Sequence, residues 1–159
     1  MEYELKLQKI SKETFSQYGI YINRPADAPA HSEESFDWWD NLAVFDFGGK
    51  VSVGIVRAKN TGDFQQNVFE YHRDSIEVLI PIDDDVIIVV GNSITEAPHG
   101  FDAFLVPRNG VVALNKGVLH RAPMCLNNKA DTLVMFKEAT ASADTQLVET
   151  NDIIFKVIL

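Results

Sequence analysis

The sequence predicts one all-β domain, a barrel or sandwich carrying a single short N-terminal helix. Three observations lead there. Short runs rich in Val, Ile and Phe recur along most of the chain. Turns rich in Gly, Pro and Asp separate them at intervals too short for crossover helices. Only one segment carries both helix start and stop signals. The 159 residues are expected to form one domain spanning 1–159, since 46% of them are apolar and no linker-like stretch divides them.

The helix is expected between Ser11 and Gly19. Ser11 is a good N-cap, Glu13 places an acid in the first turn, and Gly19 is a stop. Phe15 and Tyr18 lie three apart and share the face that packs on the body. Two prolines then make 24–29 a loop. Runs 42–47 and 51–57 read as strands joined in a hairpin by Gly48-Gly49-Lys50. Further strands are expected at 68–72, 76–82, 86–90, 102–106, 111–114, 132–136 and 153–158. Asp83-Asp84-Asp85 reads as a hairpin turn between two buried strands.

Charge narrows the partners. With 23 acidic against 14 basic residues the net charge is -9, and the basic residues are scattered. Such a surface repels phosphate backbones and anionic membranes, so no nucleic acid and no membrane partner is expected. The longest apolar runs are too short to span a bilayer, and the opening MEYELKLQ lacks the pattern of a signal peptide. Cys125 is the single cysteine and is expected to be a buried, small apolar residue. Together these features lead us to expect a cytoplasmic protein.

Chemistry concentrates in two stretches. In Phe69-Glu70-Tyr71-His72, Glu70 and His72 are two apart on a strand and leave the same face. Glu77 opens the next run after a tight Arg73-Asp74-Ser75 connection that can fold it back beside them. The second stretch runs from Gly110 through Gly117 to His120, with glycines suited to positive φ at strand ends. Arg57 continues the face of Val51, Val53 and Ile55, read as an inward face. It is expected either to clamp a substrate carboxylate or to form an ion pair with Glu70. Trp38 and Trp39 are expected in core packing, at a subunit interface or at the pocket mouth.

These stretches resemble the paired motifs of the cupin superfamily, which implies a double-stranded β-helix (jelly-roll) barrel. Glu70 stands at the first histidine position of the first motif, His72 at the second and Glu77 at the acid; Gly110, Gly117 and His120 match the second motif. Within cupins the chain resembles the ureidoglycolate lyase family over most of its length. The resemblance is carried by 7–19, Val56-Arg57-Ala58, Glu70-x-His72 with Ile80-Pro81, Ala103-Phe104 and Gly110-Val111. It departs at Tyr71, Glu77 and Leu119, where that family usually has Arg, Gln and Trp.

The resemblance implies lyase chemistry on a small anionic substrate: ureidoglycolate is cleaved to glyoxylate and urea in allantoin breakdown, by a homodimer without an organic cofactor. Glu70, His72, Glu77 and His120 would then form a nitrogen and oxygen site suited to Zn, Ni, Mn or Fe. Whether a metal is held there stays open at this point. His120, Glu77 and His72 are the catalytic candidates; Arg57, Lys137 and Arg121 are the candidates for holding substrate. The apolar run 153–159 is a candidate edge for pairing two chains. Another metal-dependent cupin enzyme acting on a small organic acid, or a non-catalytic binding cupin, fits the same residues.

Overall fold

The computed structural model describes every residue except Ala26, which lies in the proline loop expected at 24–29, and Asn151. In chain order the first elements are β1 (Glu2–Lys9), α1 (Lys12–Phe15), β2 (Gly19–Ile22), β3 (His31–Ser32), β4 (Asp37–Trp38), β5 (Val51–Lys59) and β6 (Gln65–Gln66). They are followed by β7 (Val68–His72), β8 (Glu77–Pro81), β9 (Val86–Gly91), β10 (Phe101–Val106), β11 (Val111–Leu114) and β12 (Met124–Cys125). Last come β13 (Lys129–Lys137), α2 (Thr140–Ala143), β14 (Thr145–Glu149) and β15 (Ile154–Ile158). The expected N-terminal helix is present but is a single turn. Ser11 caps it by accepting from the Thr14 backbone N–H, and Thr14 answers by accepting from that of Ser11.

Two sheets make the body. One is six-stranded in the order β12-β9-β10-β1-β15-β6, and the other five-stranded in the order β2-β11-β8-β13-β5. A short pair, β14 with β7, carries the Glu70-to-His72 segment. The buried strand β9, Val86-Ile87-Ile88-Val89-Val90, shows how the core divides. Val86, Ile88 and Val90 join Leu79, Phe104 and Val112 in one cluster. Ile87 and Val89 point the other way, into a second cluster with Phe69, Phe101 and Phe155. The rings of Phe69, Phe101 and Phe155 pack mutually at centroid distances of 5.0, 5.6 and 4.5 Å. Period-two side-chain geometry thus sends one strand into two cores. Each such buried aliphatic side chain contributes about 1.5–3 kcal/mol.

Several sequence expectations change. Residues 42–47 form no strand; Ala43, Phe45 and Phe47 are half-buried while Leu42 and Val44 are exposed. The three aspartates do not close a hairpin, because β8 and β9 belong to different sheets. They turn a corner, and each carboxylate holds a neighbour: Asp83 accepts from the Asp131 N–H, Asp84 from Asn127 Nδ2 and Asp85 from the Arg108 N–H. The C-terminal run is not a free edge either, since β15 pairs in parallel with β1 and antiparallel with β6. The edges of the five-stranded sheet are β2 and β5.

Gly19 marks one place where backbone approach dictates the residue. A Cβ there would sit 1.9 Å from the Ala113 carbonyl oxygen, on the partner strand β11. Gly19→Ala is therefore expected to destabilise the fold by about 3 kcal/mol or more in urea unfolding. Gly54→Ala, whose Cβ meets nothing within 4 Å, should shift stability by less than about 0.5 kcal/mol.

Candidate functional site

The two sequence stretches are sewn together by backbone. Glu70 N–H donates to the His120 carbonyl at 2.7 Å, and His120 N–H returns to the Glu70 carbonyl at 2.9 Å. Gly117, at φ +83°, donates its N–H to the His72 carbonyl at 2.8 Å; of the two glycines expected to need positive φ, Gly117 has it and Gly110 does not. These bonds put β7 beside the turn that carries His120. From the facing sheet β8 presents Glu77, in register with Leu114 of β11.

His72, Glu77 and His120 converge, all buried. A single oxygen, Glu77 Oε2, lies 2.8 Å from His72 Nε2 and 3.0 Å from His120 Nε2. The far ring nitrogens face backbone carbonyls: His72 Nδ1 donates to Asp144 O at 3.2 Å, and His120 Nδ1 to Val118 O at 2.8 Å. A carbonyl can only accept, so each Nδ1 carries its proton and each Nε2 is turned on Glu77. Burial opposes the charge on Glu77, yet the two imidazoles win and hold its carboxyl down at about 2. Burial likewise opposes protonation of His120, but Glu77 and the Val118 carbonyl raise its pKa.

This donor set suits a metal. All three ligand atoms lie within 4.8 Å of one another. Ligands about 2.1 Å from an ion at right angles are about 3.0 Å apart, close to the 2.8 and 3.0 Å observed between Glu77 and the imidazoles. Both imidazoles already have the Nδ1–H···O=C support that orients metal-binding histidines. Such a site could hold a divalent ion by displacing the Nε2 protons. Glu70, the fourth ligand expected from sequence, stands apart: its carboxylate is 3.7 Å from the Arg121 guanidinium.

A cavity of about 330 Å³ opens on the cluster and is lined by Glu70, His72 and Glu77, with Val134, Phe136 and Pro123 as apolar wall. Of the three cations expected to hold substrate, Arg121 stays near through Glu70. Arg57 does not. Val51, Val53, Ile55 and Arg57 face outward, with Val53 and Ile55 each 62% exposed, and Arg57 forks onto Asp131 at 2.6 and 2.7 Å. The inward face expected for Arg57 is thus the outer one, and its ion pair is with Asp131, not Glu70. Lys137 sits on the same outer side of β13 in register with Val51, while Val134 and Phe136 face the cavity. Trp38 is exposed, so it is no part of the core. Cys125 is buried as expected, and burial pushes its thiol up.

Sequence reasoning missed Asp144. Its carbonyl positions His72, while its carboxylate accepts from the N–H groups of Arg73 and Asp74 at 3.0 and 2.9 Å and shapes the turn before Glu77. Nothing around Asp144 in the sequence signals this, because its partners lie about seventy residues away along the chain.

Two sheets with a histidine from β7, a carboxylate from β8 and a histidine from the turn after β11 gathered at one place make the all-β architecture that the sequence led one to expect. The ureidoglycolate lyase family model matches residues 2–156, and the chain belongs to that family. It is an enzyme family that cleaves ureidoglycolate. No curated protein matches the chain by sequence. Similar solved structures include the S161A mutant of Bacillus subtilis oxalate decarboxylase, 13% identical, covering 65% of this chain and 24% of that one, with a TM-score of 0.46. CapF, a capsular polysaccharide assembling protein from Staphylococcus aureus, is 17% identical over 64% of this chain and 28% of its own, with a TM-score of 0.47. The formate complex of Lactobacillus farciminis oxalate decarboxylase is 15% identical over 65% and 27%, with a TM-score of 0.46. The chain thus spans about a quarter of the length of these structures.

Two outcomes follow from the geometry. Isothermal titration with Zn or Mn should give one site per chain, weakened at least about 100-fold by His72→Ala, little changed by Glu70→Gln, and tighter at pH 8 than at pH 6 as the Nε2 protons leave. In chelator, the cluster itself stabilises the fold most between the ordinary values of Glu77 and His120, 4.5 and 6.5. The lowered Glu77 loses its contribution as pH falls toward about 2, and the raised His120 loses its own as pH climbs through its folded value. Urea midpoints should therefore fall from pH 6 to pH 9 in the native protein, and less in Glu77→Gln.

Proposed function

We propose that this chain cleaves ureidoglycolate to glyoxylate and urea, as a carbon–nitrogen lyase of allantoin-derived purine breakdown, working in the cytoplasm as a homodimer. The observation that carries the reading is Glu77 shared by two buried imidazoles, with Glu77 and His72 on the wall of a cavity of about 330 Å³, in a chain whose family match covers residues 2–156. No helix of the described chain is long and apolar enough to cross a membrane. Support for pairing two chains comes from the outer face of β5, where Val51, Val53 and Ile55 lie exposed on a sheet edge.

The reaction needs a proton taken from the carbinol hydroxyl and a proton given to the departing urea nitrogen. Glu77, held at about 2, is too weak a base for the first task at neutral pH. His120 is the better proton carrier: Glu77 stabilises its charged form and the Val118 carbonyl holds its ring in place. His72, oriented by Asp144, is the matching group on the other side of the carboxylate. Arg121, beside Glu70, would be the cation that holds the substrate carboxylate.

A divalent metal held by His72, Glu77 and His120 would act as a Lewis acid toward substrate oxygen. The imidazoles would then be committed as ligands, and Glu70, outside the cluster but on the cavity wall, becomes the carboxylate able to take the carbinol proton. Glu70→Gln separates the two readings. It spares a metal-free imidazole mechanism and lowers kcat by at least about 100-fold when Glu70 is the base.

The direct assay incubates the purified protein with ureidoglycolate in chelator and with added Zn, Mn, Ni or Fe, and follows glyoxylate. Turnover is expected in at least one condition. His72→Ala should cut kcat/KM by at least about 100-fold, and Arg121→Gln should raise KM about tenfold with a smaller change in kcat. No glyoxylate under any condition contradicts the lyase reading. Tight metal loading without turnover would instead favour another metal-dependent cupin enzyme, and ligand retained unchanged would favour a binding protein.

A further inference from the structure

We propose that a cavity at the far end of the five-stranded sheet is a second binding site, for a small organic anion with an apolar body. It encloses about 520 Å³, more than the cavity at the histidine cluster, and lies in the range of small-molecule sites. Strand β11 separates the two. Leu114, at one end, pairs with Glu77, whereas Val111, at the other, pairs with Ile22, next to Asn23 and Arg24 on the cavity wall.

Charge is what sets this cavity apart. In a protein of net charge -9, Lys9, Arg24 and Arg108 line it against a single carboxylate, Asp85. Among the described residues none of those three cations forms an ion pair. Asp85 is occupied in accepting the Arg108 backbone N–H at 2.8 Å. Three cations around one concavity repel each other, and an anion seated among them removes that repulsion.

A second observation points into the same space. Tyr21 is only 6% exposed and lines the cavity, yet its hydroxyl has no hydrogen-bond partner among the described residues. Burial and the nearby Asp85 raise its pKa, so the hydroxyl keeps its proton and can donate. A hydroxyl on the cavity wall that gives its proton to no protein acceptor can donate it to a ligand oxygen. Ile10, Leu105 and Pro107 supply an apolar floor beside the Tyr21 ring. Forked guanidinium groups, a phenolic donor and an apolar floor together recognise a carboxylate on a compact hydrocarbon or aromatic body. The site depends in no way on which reaction the cluster performs.

Calorimetric titration of the whole protein with benzoate tests this, with benzamide as the uncharged match. One saturable benzoate site per chain is expected, with benzamide at least about tenfold weaker. The double variant Arg24→Gln/Arg108→Gln, at exposed positions, should weaken benzoate by at least about tenfold, and Tyr21→Phe by about threefold. Arg121→Gln, beside Glu70 of the histidine cavity, should leave it unchanged. Absence of saturable binding at millimolar benzoate, equal binding by the double variant, or loss of binding in Arg121→Gln would each overturn the proposal.

Discussion

One carboxylate oxygen shared by two imidazoles is the interaction on which this molecule is organised. A buried, unpaired Glu77 would cost several kcal/mol, and a buried imidazolium would cost as much. Placed 2.8 and 3.0 Å from the two Nε2 atoms, each charge removes the other's penalty. That solution requires three segments far apart in sequence to arrive within a few tenths of an ångström. The paired Glu70 and His120 backbone bonds, and the register of Leu114 opposite Glu77, are what deliver them.

The cluster is balanced between two uses. With protons on Nε2 it is a hydrogen-bonded unit that supports the fold; with those protons displaced it is a tripod of ligands. Backbone carbonyls of Asp144 and Val118 hold the rings in the same orientation in either case. Glu77 stands where the family resemblance leads one to expect Gln, and the exchange adds a full negative charge to the centre. That charge strengthens the imidazolium as well as the metal site, so it couples acid–base behaviour to metal affinity.

Much of this was legible in the sequence. Strands 68–72 and 111–114 emerge with the bounds that composition and turns suggest, and Glu70-x-His72, Glu77 and His120 can be assembled from spacing and resemblance. Arg57 shows why the rest was not. The alternation of Val51, Val53 and Ile55 has the appearance of a core face, but the inner face of β5 carries Ser52, Gly54, Val56 and Ala58. Gly54 and Val56, with part of Ile55, border the open cavity, so this stretch of β5 has no filled core to pack against and Val51 and Val53 fall on the outside. An open pocket thereby inverts the usual apolar pattern of a strand. Asp144 and the aspartate corner escaped for another reason: their roles are hydrogen bonds to distant backbone, which no local pattern encodes.

The central claim is that both histidines carry their proton on Nδ1 and turn Nε2 on Glu77. Long-range 15N–1H NMR of the histidine rings reads this directly. The account predicts Nδ1–H signals for His72 and His120 in chelator, and large Nε2 shifts in both rings on adding Zn, with His31 and His99 unmoved. A neutral Nε2–H ring with bare Nδ1 in either residue, or Nε2 signals indifferent to metal, would contradict it.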